Sequence, residues 1–98
     1  MNKNMPWFFE QYETNDPEYC CPLAEILELA MNPQSLDVKT KYLIILALDV
    51  FKGAGEGVQV LAKQAREAGA SEAEIREVIR LAFYVNSMDV IKTSLNAY

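Results

Sequence analysis

Residues that interrupt helices are confined to a few places in this chain, and their placement limits its fold more than any other feature. All four prolines (Pro6, Pro17, Pro22, Pro33) fall in the first 33 residues. Three of the four glycines (Gly53, Gly55, Gly57) lie inside the single stretch GAGEG, and the fourth is Gly69. A proline within a helix removes a backbone donor and crowds the preceding turn, so a long proline-free tract is free to stay helical. Period-2 alternation bounded by turn residues is missing, which leaves no basis for a sheet. The sequence therefore predicts an all-α fold of five to six helices.

The segments follow from local signals. Pro6-Trp7-Phe8-Phe9 can open a short helix, with Pro17 forcing an irregular link after it. Pro22 suits the first position of a helix to about Met31, with Leu23, Ile26, Leu27 and Ala30 on one face. Asp37 is the expected N-cap of a helix reaching about Lys52. Its middle, YLIILAL, is apolar on every side and predicts a helix buried all round. Gly53 stops it, and the next helix runs to about Ala68 with Val58, Leu61, Ala62, Ala65 and Ala68 facing inward. Ser71 and Glu74 form a capping box for a helix carrying Ile75, Val78, Ile79, Ala82 and Phe83 on one side, with Glu72, Arg76, Glu77 and Arg80 opposite. Ser87 is the expected cap of a last helix through Met88, Ile91 and Leu95. The core pair is thus about 37–52 and 54–68.

Charge and composition exclude several classes of function. The net charge is −5, concentrated in residues 1–30, where Lys3 stands against six acids; residues 31–98 balance. No basic stripe exists for nucleic acid, and an acidic surface disfavours anionic membranes. The longest strongly apolar run, 42–48, is too short to span a bilayer, and no secretory leader precedes Glu10. A cytoplasmic protein with reduced cysteines is expected. The chain has no histidine, which removes the commonest general base, the commonest zinc ligand and any Cys-His pair. No cofactor or metal is implied. With 98 residues the chain fills one domain and buries only about 60–65% of its unfolded surface, so sharing helices between subunits would help it.

The glycine cluster matches neither phosphate-binding pattern. No Lys-Ser/Thr pair follows it, as a P-loop requires, and position six counted from Gly53 is Val58 rather than glycine. A helix break accounts for Gly53. Gly55 and Gly57 in the next first turn leave backbone N–H groups uncovered, which would also suit an anion or polar ligand.

The stretch LDVKTKYLIILALDV, followed by AREAGASEAEIREVIRLA, resembles the carboxymuconolactone decarboxylase family, whose AhpD-like branch reduces peroxidase partners through thiols. The likeness covers roughly residues 36–98 and leaves 1–35 as an N-terminal helical extension of one 1–98 domain. It implies an AhpD-like orthogonal helical bundle that assembles as a homo-oligomer, a trimer or hexamer, by packing the core helix pair. The apolar helix around Ile44–Leu48 points the same way. The redox branch carries a glutamate, then Cys-x-x-Cys, then a histidine four residues beyond. Aligning Ala65 and Gly69-Ala70 with the family frame places the cysteines at Ala54 and Gly57, the histidine at Leu61 and the glutamate at Tyr42. All four are replaced, and the decarboxylase branch's histidine would also fall on Leu61.

Other candidates for chemistry remain. Cys20 and Cys21 precede Pro22, so Cys21 would stand near an N-cap, where the dipole favours a thiolate. Adjacent cysteines do not readily pair with each other, and both also fit as small buried hydrophobes. Tyr42 offers a hydroxyl, or packs as an amphipathic core residue. Ala54, Gly55, Gly57 and Leu61 would line any small-molecule pocket. Glu56 complements a helix N-terminus, Asp49 either caps locally or acts as a buried carboxylate, and Trp7, Phe8 and Phe9 pack or cover a neighbour. Three functions stay open: a family member with its thiol site lost but a small-molecule pocket kept, a thiol redox enzyme working through Cys20/Cys21, and a non-catalytic oligomeric binding module.

Overall fold

A computed structural model describes residues 7–98; Pro6 lies outside them. The described residues form five α-helices and a final 3₁₀ turn, with no strand. They divide into two compact units, 1–35 and 36–98.

The first unit is a helical hairpin of α1 (Phe9–Asn15) and α2 (Pro17–Met31). The break between them is Asp16 alone, whose carboxylate accepts the Tyr19 N–H at 3.3 Å and so caps α2. Pro17, rather than Pro22, occupies the first helical position. Two prolines compete for that role, and the one directly after a capping aspartate prevails. Pro22 lies inside α2, where its missing N–H interrupts the backbone ladder. A ladder of rings joins the two helices: Phe9 stacks on Tyr12 at 6.2 Å, and Tyr12 meets Tyr19 at 6.0 Å. Phe9 and Cys20 are buried. Of the expected inner face of α2, Leu23 and Leu27 are half-buried, while Ile26 and Ala30 are exposed.

The second unit packs α3 (Val38–Lys52) against α4 (Gly55–Glu67) and α5 (Glu72–Ser94). Asp37 caps α3 through the Thr40 N–H at 2.7 Å. Both α3 and α4 end in a paired motif around a left-handed glycine, Gly53 at φ 75° and Gly69 at φ 102°. In α3 the N–H of Ala54 reaches the Asp49 carbonyl and that of Gly53 the Val50 carbonyl. In α4 the N–H of Ala70 reaches Ala65 and that of Gly69 reaches Arg66. These are Schellman motifs, and the second buries its hydrophobic partners Ala65 and Ala70 together.

The core centres on Leu46, Ala65, Ala70 and Ile75, with Tyr42, Leu43, Val50, Val58, Leu61, Ala62 and Val78 around them. The expectation that α3 is buried all round does not hold within the chain. Leu46 is fully enclosed, but Ile44, Leu48 and Phe51 are exposed. At intervals of four and three they form a stripe on the outer side of the helix.

α5 begins with the expected capping box. Ser71 Oγ accepts the Glu74 N–H at 3.1 Å, and Glu74 Oε1 accepts the Ser71 N–H at 2.8 Å. Glu74 Oε2 also accepts from Lys39 Nζ at 3.0 Å, which ties the start of α5 to the start of α3. No new helix begins at Ser87. Its hydroxyl donates back to the Tyr84 carbonyl at 3.0 Å, so the residue is absorbed into one continuous 23-residue helix. Ile79 and Phe83, expected on the inner face with Ile75 and Ala82, are exposed. Among the described residues no helix is long and apolar enough to cross a membrane.

Candidate functional site

The joint between α3 and α4 contains most of the residues singled out by sequence. Gly53 swings the chain into left-handed backbone, and Ala54 follows at φ −83°, ψ 75°. Those angles, with the Gly55 N–H donating to the Gly53 carbonyl at 3.0 Å, make Ala54 the centre of an inverse γ-turn. Ala54 is simultaneously the N-cap of α4, yet its methyl group offers no oxygen to the first turn. At this point a cysteine would gain the most from the helix dipole, and here nothing ionises.

Gly57 stands three residues on, with the Asp49 carboxylate directly beside it. A Cβ built on Gly57 would lie 2.5 Å from Asp49 Oδ2 and 3.1 Å from its Cγ. A side chain at Gly57 would have to turn this carboxylate aside, whereas a Cβ on Gly55 would meet nothing within 4 Å. Asp49 belongs to the last turns of α3, where a negative charge opposes that helix's own dipole, and the N-terminal turn of α4 offsets the conflict. Sequence reasoning noted Asp49 and Gly57 separately but had no signal to bring them together. An acid on one helix and a glycine on the next carry no spacing rule.

Tyr42 and Leu61 pack against the buried cluster. The ring of Tyr42 also lies under Lys41 Nζ, 4.4 Å from its centroid. Tyr42 and Leu61 thus both belong to the packing around the hydrophobic core. Glu56 sits in the first turn of α4, beside the glycines.

Cys20 and Cys21 lie in the 1–35 unit, neither in a disulfide. Because α2 starts at Pro17, they fall in its second turn rather than at an N-cap. Cys21 is exposed and Cys20 buried. Burial, and then the nearby Glu13 carboxylate, push the Cys20 thiol up, away from the thiolate that redox chemistry needs.

The carboxymuconolactone decarboxylase family profile matches residues 17–98. The chain belongs to that family, and the match begins well upstream of residue 36, taking in α2 with both cysteines. No curated protein and no solved structure matches it.

Proposed function

We propose that this chain is a non-catalytic, homo-oligomeric binding module of the carboxymuconolactone decarboxylase family, its thiol site rebuilt rather than merely emptied. One observation carries the reading: the Asp49 carboxylate lies where a Cβ on Gly57 would stand, so a side chain there would have to turn it aside. A thiolate at that position would also be repelled by it. Tyr42 and Leu61 support the same reading, since both are committed to packing against the core. The carboxylate also disfavours an anionic ligand at the first turn of α4. Oligomerisation is supported by the exposed stripe Ile44, Leu48 and Phe51 on α3. The unpaired cysteines are consistent with a reducing, cytoplasmic setting.

A peroxide-consumption assay with a dithiol reductant tests the reading directly. The expected result is no turnover above background, unchanged in Cys20→Ser/Cys21→Ser. Turnover that the serine pair abolishes would instead establish a thiol enzyme working through α2. A second arm installs Ala54→Cys and Gly57→Cys. These cysteines should form a disulfide faster when Asp49→Ala is added, and the same rate without that change would contradict the rebuilt site.

A further inference from the structure

α2 carries apolar residues on two sides. Cys20, Leu23, Ala24, Leu27 and Met31 are buried or half-buried and form its inner side. Tyr19, Pro22, Ile26 and Leu29 lie on the outer side and recur at intervals of three, four and three, the spacing of a helix–helix seam. All four are exposed, Tyr19 at 56%, Ile26 at 64% and Leu29 at 79%. Three of them are directly preceded by a glutamate: Glu18-Tyr19, Glu25-Ile26 and Glu28-Leu29. One residue is about 100° of helix rotation, so the three carboxylates, all exposed, line the same edge of the seam. The opposite edge carries Leu23 and Ala30 and no charge. From residue 4 to residue 38 the chain has no lysine or arginine, so nothing along this stretch offsets the acidic edge.

We infer that this seam docks a basic amphipathic helix of another protein, one with apolar residues at the same spacing and with lysines or arginines along the edge that meets Glu18, Glu25 and Glu28. The inference rests on the binding-module reading above and gives the module a partner, on a surface separate from the α3 stripe. Charge selects the occupant. A basic helix pairs its cations with the carboxylates at the rim while its apolar residues cover the seam. Nucleic acid and anionic membranes are repelled by the same edge. A second copy of the same face fits in neither orientation. Laid antiparallel, the two acidic edges meet; laid parallel, each faces the uncharged edge of the other copy and finds no cation. A seam of roughly three turns is small, which suits a reversible contact.

Designed helical peptides titrated against the full chain provide the test. Two have leucine at the seam positions of a heptad repeat, with lysine in one and glutamate in the other at the flanking positions; a third has the lysine peptide's composition in scrambled order. The lysine peptide should bind about ten-fold or more tighter than either of the others, and less tightly as salt is raised. Ile26→Ala/Leu29→Ala, at two exposed positions, should weaken it about ten-fold with helical circular dichroism unchanged. Glu18→Lys/Glu25→Lys/Glu28→Lys should turn the preference toward the glutamate peptide. Equal binding of the scrambled peptide, or binding indifferent to Ile26→Ala/Leu29→Ala, would reduce the contact to bulk charge and overturn the inference. A fall in sedimenting mass in Ile26→Ala/Leu29→Ala would make a second copy the occupant and overturn it too. Should a variant lose its helical signal, the decision passes to the exposed Cys21 of the wild-type chain, which lies between Glu25 and Glu28 around the helix. The lysine peptide should slow its alkylation by iodoacetamide and the scrambled peptide should not; equal rates would overturn the inference. Turnover in the peroxide assay would remove the reading above, whereas the peptide outcomes decide this face alone.

Discussion

α4 and α5 follow the same kind of Schellman-type turn yet begin in opposite ways. α5 starts with a reciprocal capping box, an acidic first turn and an ion pair from Lys39 to its Glu74. α4 starts on a methyl-bearing N-cap and two glycines, without any side-chain cap. Its electrostatic complement comes from Glu56 in its own first turn and from Asp49 on the preceding helix, whose carboxylate lies against Gly57. One start is written in four consecutive residues. The other is completed only once α3 and α4 have docked.

The largest test of that difference removes the docking. Leu46 is fully buried where α3 meets its neighbours, and Leu46→Ala should cost about 3 kcal/mol in denaturant unfolding. In native-state hydrogen exchange the first-turn amides of α4 should lose protection before those of α5. Equal loss at both starts would remove the distinction.

The next test isolates Asp49. Gly57→Ala has to turn the Asp49 carboxylate aside and should therefore gain less than Gly55→Ala, which has open space around it and should stabilise by about 0.5–1 kcal/mol. In an Asp49→Ala background Gly57→Ala should gain as much as Gly55→Ala. A double-mutant cycle with no coupling between the two positions would show that the contact has no energetic consequence.

A third change acts on α5 alone. Ser71→Ala deletes the Oγ acceptor for the Glu74 N–H and should cost about 1 kcal/mol, with the α4 amides unaffected.

The smallest effect is electrostatic. The Ser71 backbone N–H, and then Lys39, hold the Glu74 carboxyl below its ordinary value of 4.5; the Thr40 backbone N–H does the same for Asp37, ordinarily 3.8. Lowered folded-state values give stability that is fully present above those ordinary values and is lost as pH falls through the lowered ones. The unfolding midpoint should therefore stay flat above about pH 5 as far as these groups are concerned, then decline in acid. Glu74→Gln should shrink the decline, and an unchanged acid limb would show that the cap and ion pair do not set it.

The same contrast explains what could be read from the sequence. Asp37, Gly53, Gly69 and the Ser71–Glu74 pair act within a few residues of themselves, so the helices they bound were legible. The start of α2 was misassigned because Pro17 and Pro22 both satisfy the local rule, and the choice turns on Asp16. Ser87 reads as a cap by composition but spends its hydroxyl on the Tyr84 carbonyl instead. The apolar middle of α3 suggested burial on all sides, whereas its partners within the chain cover only part of it. At the joint, Tyr42, Ala54, Gly57 and Leu61 were visible as letters. The approach of Asp49 to Gly57 was not, because it depends on how two helices meet.

α5 is a single rod about 34 Å long, by 1.5 Å per residue over its 23 residues, and α3 with 15 residues can brace only some two-thirds of that length. The remainder is a cantilever. Without a hinge at Ser87, a sideways load at Ile91 is delivered as a bending moment on Ile75 and Ala82, so the tail and the core of this unit are mechanically one body.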